Sequence, residues 1–224
     1  MDLRVEAAWH GARPVPGALD LRLGRGEVVA QCRPSGVGKT TLLRLAAGLH
    51  DGWRGTRTLR GRLAMVFQEP VLLLPWRTAA QNIALVAGCD DAAAQAALRE
   101  VGPGDRAGAW PGALSLGQQR RLSLARAMAA RPDLMLLDEP FASLDAGLAD
   151  EMVALLQSLQ ARHGFAGVLV THDESQAVRL AQRVLRLRGQ PARPVAWGLR
   201  CSFSAASGSP AAPWAGPRPC RWPA

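Results

Sequence analysis

Apolar and polar positions alternate near the start of the chain in two stretches, Leu3-Arg4-Val5-Glu6-Ala7 and Leu19-Asp20-Leu21-Arg22-Leu23. A period of two predicts strands with one buried face. Further on, Val28-Val29-Ala30-Gln31-Cys32, Leu63-Ala64-Met65-Val66-Phe67, Leu134-Met135-Leu136-Leu137 and Val168-Leu169-Val170-Thr171 are nearly continuous apolar runs closed by turn-forming residues. Runs of that length predict strands covered on both faces, as in parallel sheets. Val184-Leu185-Arg186-Leu187 predicts a last strand. Between the strands the spacing becomes helical. Leu42, Leu45, Ala46 and Leu49 share one face, as do Leu148, Met152, Leu155, Leu156 and Leu159, and Ser175 to Ala181 predicts a short helix. From Pro70 to Arg131 the pattern is mostly helical, broken at Pro75, Gly88, residues 102–104 and residues 111–112. Strands alternating with helices predict an α/β fold with a mainly parallel sheet, residues 70–131 forming an inserted helical subdomain.

After about residue 190 the periodicity stops. Residues 189–224 hold seven of the sixteen prolines, three of the seven tryptophans, and no acid. Such composition predicts a disordered extension over 191–224, distinct from a domain over 1–190. A partner-binding peptide and a tail unrelated to the domain are both compatible with it.

Composition narrows the partners. The 224 residues suffice for one domain with its own core. No run of eighteen apolar residues predicts a membrane-spanning helix, and the first residues lack the apolar segment of a secretory signal. Cys32, Cys89, Cys201 and Cys220 are far apart, which predicts reduced thiols rather than a metal site. Net charge is +9, of which +5 belongs to residues 1–188. No basic stripe is interleaved with aromatics, so nucleic acid is not an expected partner.

The chemistry begins with lysine usage. Twenty-six of the 27 basic residues are arginine, and the one lysine is Lys39, in Pro34-Ser35-Gly36-Val37-Gly38-Lys39-Thr40-Thr41. A glycine loop between a strand and a helix turns backbone N–H groups toward phosphates, and the helix start favours anions. Lys39 would reach the β- and γ-phosphates and Thr40 would hold Mg2+. The loop departs from the pattern G-x-x-x-x-G-K-[ST] at its first position, where Arg33 stands for glycine. A Cβ is poorly tolerated where the turn needs φ > 0, so impaired but not abolished nucleotide binding is expected. A nucleotide-binding module with weak or no turnover is the alternative that Arg33 leaves open.

Two acids end the third apolar run. Asp138 is the better Mg2+ partner, and Glu139 the better group to orient or deprotonate an attacking water. Ser115-Leu116-Gly117-Gln118 is a capping box at a helix start, whose N–H groups would also favour a γ-phosphate. His172 follows the fourth run. Gln68 follows the second and could accept from a metal-bound water.

These segments, in this order, resemble the ATP-binding subunit of ABC transporters over roughly residues 1–190. Pro34 to Thr41 is similar to the P-loop, Val66-Phe67-Gln68-Glu69-Pro70 to the Q-loop, and Leu114-Ser115-Leu116-Gly117-Gln118 to the L-S-G-G-Q motif. Leu134 to Glu139 resembles the Walker B strand, Ser143-Leu144-Asp145 the D-loop, and Val170-Thr171-His172-Asp173 the switch histidine. The resemblance implies a P-loop NTPase core with a mainly parallel sheet, a small antiparallel β edge and an inserted helical signature subdomain. It implies ATP and Mg2+ as cofactors, with Glu139, His172 and Gln68 in catalysis and Thr40, Gln68 and Asp138 at the metal.

It further implies that Ser115, Gly117, Gln118 and Asp145 contribute to a nucleotide held mainly by the opposite subunit of a dimer, expected to be a homodimer. Leu116 replaces a glycine of that motif, and Gly117 is expected to need close backbone approach. Adenine would stack near the N-terminus, on Trp9 unless that side chain is buried. Val66 to Asn82 resembles importers of nitrate, sulfonate and taurine type. The implied partners are transmembrane permease subunits, contacted around Pro75-Trp76-Arg77 to Val86, and indirectly a periplasmic solute-binding protein. Core packing is the other reading of Trp76. The implied location is peripheral, on the cytoplasmic face of the membrane.

Overall fold

The computed structural model describes residues 1–10, 13–14, 18–32, 39–68, 73–102, 104–188 and 193–198, with the side chains of 10, 13–14, 39–40, 186–188 and 193–198 excepted. The chain divides into two compact units.

The first unit comprises Met1–Gln68, Pro132–Ala142 and the chain from Leu156. It holds two sheets. In the antiparallel one, β1 (Asp2–His10) is flanked by β3 (Leu19–Arg22) and β5 (Trp53–Thr58), with β2 (Arg13–Pro14) pairing its far end. The second sheet runs β10-β9-β4-β8-β7-β6. Its strands are β4 (Val28–Cys32), β6 (Leu63–Val66), β7 (Leu134–Asp138), β8 (Ala166–Thr171), β9 (Arg183–Arg188) and β10 (Arg193–Gly198). All its pairings are parallel except β9 with β10. Every residue of β4, β7 and β8 is buried, which is why these strands read as unbroken apolar runs.

The core of this unit joins the sheets through α1 (Lys39–Ala47). Leu3, Val5, Leu19 and Leu21 pack in one cluster with Leu42, Leu43 and Leu45, and with Val29, Leu134, Leu136, Val168, Val170 and Leu185. The alternation expected of β3 and of the first half of β1 is therefore satisfied, and past the bulge its phase shifts so that Ala8 joins the same cluster. Parallel strands need a crossover, and α6 (Glu174–Leu180) supplies the one between β8 and β9.

Two strands differ from expectation. β5, Trp-Arg-Gly-Thr-Arg-Thr, is mostly exposed and carries no apolar period. It forms because β1 offers an open backbone edge, and its bulge falls between Val5 and Ala7. Gly55 sits in that strand at φ 144, where an added Cβ would collide with the Arg4 carbonyl, so only glycine fits. β10 lies in the segment expected to lack strands. It covers the edge of β9, and an edge position is the one that accepts Pro194. The rest of the predicted tail, from residue 199, lies outside the described residues.

The second unit comprises 69–131 and 143–155. It contains α2 (Ala79–Ala87), α3 (Asp91–Val101) and α4 (Leu116–Ala129), and the first part of α5 (Ala146–His163). Thr78 and Gln81 form a reciprocal capping box on α2, and Asp90 caps α3. Gly88 closes α2 in the left-handed conformation, and Ile83, Ala94, Leu98, Val101 and Leu122 are fully buried. Arg121 ties the helices by donating to the Val101 carbonyl at 2.9 Å and to Glu151 at 2.8 Å.

Candidate nucleotide site

Parallel strands bring their C-terminal ends to one edge of a sheet, and ligands of open α/β sheets bind there. In the first unit that edge gathers the residues just after β4, β6, β7 and β8. Residues 33–38 link β4 to α1, Gln68 follows β6, Asp138 ends β7, and His172 follows β8. The loop residues Pro34, Ser35, Gly36, Val37 and Gly38 lie outside the described residues. Lys39 and Thr40 form the first two positions of α1, and Thr41 is half-buried behind them. An α-helix start has unpaired N–H groups and a positive dipole end.

Asp138 is 5% exposed and Glu139 is 8% exposed. Two adjacent buried carboxylates are costly unless bonded. Glu139 adopts φ 45, a left-handed conformation that a residue with a Cβ seldom takes. The chain turns there because the Glu139 N–H donates to the Val170 carbonyl at 2.9 Å and its carbonyl accepts from Ala142 at 3.1 Å. The turn aims the carboxylate at His172. Glu139 Oε2 lies 2.8 Å from His172 Nδ1 and accepts a longer bond, 3.4 Å, from the His172 N–H. Backbone strain of about 1–3 kcal/mol is thereby held at Glu139.

His172 is fixed from both sides of the chain. Thr171, 1% exposed, donates through Oγ1 to Gln176 Oε1 at 2.8 Å and accepts from the Asp173 N–H at 3.1 Å. Asp173 caps α6, taking the Ser175 N–H at 2.8 Å and the Ser175 hydroxyl at 2.6 Å. The Ser175 hydroxyl above all, then backbone N–H bonds and the neighbouring His172, holds the Asp173 carboxyl below the usual range. The imidazole itself is largely exposed. It faces solvent at the strand edge while its Nδ1 is oriented by Glu139.

Trp9 lies half-buried one residue before the end of β1, its N–H bonded to the Gly52 carbonyl at 2.7 Å. The Arg54 guanidinium lies over its ring at 5.7 Å from the centroid, so one face is already engaged. The ring is half-buried, so the reading that buries it in the core is not met.

In the second unit, Ser115 caps α4. Gln118 N–H donates to Ser115 Oγ at 3.3 Å, and Ser115 N–H donates to Gln118 Oε1 at 3.0 Å. Asp145 does the same for α5 through the Leu148 N–H at 2.9 Å. Gly117 is buried, but a Cβ there would meet only the Leu148 side chain at 3.6 Å, an ordinary contact. The expected need for close backbone approach at Gly117 does not arise within the chain. Leu116 is 38% exposed.

Trp76 is 66% exposed, which removes the core-packing reading. Its loop is rigid because of a residue whose part sequence reasoning missed. Asn82 is fully buried. Its Nδ2 donates to the carbonyls of Leu74, Arg77 and Thr78 at 3.0–3.1 Å, and its Oδ1 accepts from the Leu74 N–H at 2.7 Å. A polar residue among the apolar positions of α2 was the available signal.

The ABC transporter family model matches residues 17–142. The chain is 45% identical over 193 residues to an aliphatic sulfonates import ATP-binding protein of Mycobacterium avium, covering 83% of this chain and 76% of the relative. A protein of the same description from Nocardia farcinica is 49% identical over 182 residues, covering 80% and 75%. The chain belongs to the ABC transporter family. Solved ABC structures share its fold. A chain from an inward-facing ABC transporter described as of metal-chelate type superposes with TM-score 0.77 at 26% identity, covering 87% of this chain and 82% of that one. An ATP-binding cassette in a dimeric, post-hydrolysis state bound to ADP and Pi gives 0.72 at 27% identity, covering 84% and 94%. The parallel sheet, the small antiparallel sheet and the helical unit of this ABC protein are thus the expected architecture.

Proposed function

We propose that this chain is the ATP-hydrolysing subunit of a membrane importer of aliphatic sulfonates. The observation that carries the hydrolytic part is the Glu139–His172 pair beside Asp138, at the strand edge that the nucleotide loop also leaves. In this reading Lys39 and the loop N–H groups hold the phosphates. Glu139 takes a proton from the attacking water and holds it at the carboxylate, while His172 keeps that carboxylate aimed and presents its free ring nitrogen to the γ-phosphate. The sulfonate part rests on the relatives named above, since an ATPase of this kind does not touch the cargo.

A magnesium ion suits the donors at this edge. Asp138 is a hard oxygen donor and the Gln68 amide is a second, while no three His, Cys, Asp or Glu side chains cluster among the described residues. Mg2+ is ordinarily held by one or two protein oxygens together with phosphates and water. Asp138, Thr40 and Gln68 would hold it, and when bound it supplies charge neutralisation at the β- and γ-phosphates.

No helix among the described residues is long and apolar enough to cross a membrane. In this reading permease subunits attach the chain to the membrane. Trp76, Leu85 and Val86 are exposed at 66%, 55% and 50%, an apolar face suited to that contact.

The test is MgATP turnover of the purified chain. Glu139→Gln should keep MgATP affinity within about threefold and lower turnover about a hundredfold or more, while Lys39→Ala should lose binding. Turnover unchanged in Glu139→Gln would remove the assignment. For the cargo, deleting this chain should stop growth on an alkanesulfonate as sole sulfur source but not on sulfate.

A further inference from the structure

The parallel sheet has a second edge. β4, β6, β7 and β8 run in one direction, so their first residues lie together at the edge away from Asp138 and His172. Four turns enter there: residues 23–27 before β4, 59–62 before β6, Pro132 and Asp133 before β7, and 163–165 before β8. They line a cavity of about 520 Å³ that lies wholly within the first unit. Small-molecule sites have volumes of roughly 300–1,000 Å³.

The floor of the cavity is the rim of the hydrophobic core. Leu23 and Leu134 belong to the core cluster, Leu59 packs against it, and Phe165 is 2% exposed. The wall is basic. Arg25 and Arg60, both exposed, line it from the turns before β4 and β6, and His163 lines it from the end of α5. The one acid among the lining residues, Asp133, is committed elsewhere, since its Oδ2 accepts the Arg62 N–H at 2.7 Å. Further bonds brace the turns. The Gly24 N–H donates to Glu27 at 2.9 Å, the Gln160 side chain donates to the Gly26 carbonyl at 2.8 Å, and the Asp133 N–H donates to the Arg62 carbonyl at 2.8 Å. The chain thus holds the cavity open by its own contacts.

An apolar floor under a basic wall fits one kind of molecule best. An uncharged hydrocarbon gains the floor and leaves the guanidinium groups in water, while a small inorganic anion gains the guanidinium groups and not the floor. The carboxyl-terminal end of α5 opposes an anion, but a helix end carries only about half an elementary charge. Two guanidinium charges outweigh it and the Asp133 carboxylate together. Guanidinium forks also match the paired oxygens of a carboxylate or sulfonate.

We propose that this cavity is a binding site for a small organic anion, a carboxylate or sulfonate with an apolar tail of several carbons. The tail rests on Leu23, Leu59, Leu134 and Phe165, and the head group is held by Arg25 and Arg60. The site lies at the opposite edge of the sheet from the nucleotide residues and stands apart from ATP hydrolysis. The competing account is that both arginines are solvated and merely cover apolar surface with their stems.

Titration of the purified chain with 1-hexanesulfonate separates the two, read by calorimetry and by the methyl signals of Leu23, Leu59 and Leu134. Saturable binding that shifts those signals is expected. 1-Hexanol, which lacks the charge, and methanesulfonate, which lacks the tail, should each bind about tenfold more weakly or worse. Arg25→Gln and Arg60→Gln should weaken hexanesulfonate by about threefold each and about tenfold together. Lys39→Ala should leave its Kd unchanged, because the nucleotide loop leaves the other edge of the sheet. Hexanoate reads the head group: equal affinity assigns organic anions generally, and a preference names the acid. The proposal is overturned by the absence of saturable binding, by 1-hexanol or methanesulfonate binding as tightly as hexanesulfonate, or by a Kd that responds to Lys39 and not to the two arginines. Should the arginine variants not fold, the wild-type methyl signals decide, and binding that leaves these three leucines unshifted overturns the proposal.

Discussion

His172 is held less by its own contacts than by the residue after it. Asp173 caps α6 with its carboxylate, and the strand-to-helix turn that presents the imidazole depends on that cap. Removing an N-cap acid costs about 1 kcal/mol. Asp173→Ala should therefore lower stability by about that amount and loosen His172, reducing kcat more than MgATP affinity. The effect has a pH signature. The carboxyl of Asp173 is held below its ordinary range in the folded chain. Its contribution is present above the unfolded value, about 3.9, and is lost as pH falls through the lower folded value. Urea midpoints of the wild type and Asp173→Ala should thus differ by a constant amount from pH 8 to pH 5 and converge only in strong acid. A gap that closes between pH 8 and pH 5 would overturn this account of Asp173. From sequence, His172 and Glu139 were legible as separate catalytic candidates. Their pairing was not, because it depends on the left-handed turn at Glu139, and no local residue pattern marks a glutamate for φ > 0.

Among the elements, α2 shows how a helix can serve a loop. Thr78 and Gln81 start the helix by exchanging hydrogen bonds, and Asn82 on the next position reaches back to four backbone groups of residues 74–78. The loop so fixed carries Trp76 outward. In Asn82→Ala the Leu74 N–H loses its acceptor and the Arg77 carbonyl its side-chain donor, while the Leu74 and Thr78 carbonyls keep the backbone N–H groups of Arg77 and Asn82. A cost of about 2–4 kcal/mol is expected, since a part-buried donor and a part-buried acceptor are left without their partner. Trypsin should report the loosening at Arg77, which is exposed yet held in the wild type. Faster cleavage there, with no change at other arginines, is the expected outcome; an unchanged digest would mean that other contacts hold the loop.

Legibility among the elements followed burial. The strands β4, β7 and β8 were visible because every residue in them is buried, so apolar residues prevail. β5 was not visible because it is mostly exposed and is held by the backbone edge of β1, and β10 pairs with β9 in a segment whose composition carries no period. Gln31 was counted as one letter of an apolar run, and only the structure shows its amide buried in β4 with no partner among the described residues.

At the scale of the whole molecule, the residues with a nucleotide assignment fall into two sets. Gln68, Asp138, Glu139 and His172 belong to the first unit; Ser115, Gly117, Gln118 and Asp145 belong to the second. A solved cassette of the same fold is dimeric, and in a head-to-tail dimer the second set of one copy would complete the first set of the other. Mixing two inactive variants tests this. Lys39→Ala disables the loop and leaves the α4 start intact. Gly117→Asp does the reverse: an acid in the first turn suits the helix dipole, and the added Cβ meets only an ordinary contact with Leu148. Its charge, however, repels a phosphate. Neither variant alone should turn over ATP. If each site draws on two copies, a mixed dimer has one site with both defects and one with neither. Random reassortment then makes half the dimers mixed, and activity should recover to about a quarter of the wild type at most. If each copy builds its site alone, every site carries a defect and mixing recovers nothing. The assay thus reads the arrangement of the dimer from turnover alone, and it does so with substitutions that the fold of each unit accommodates.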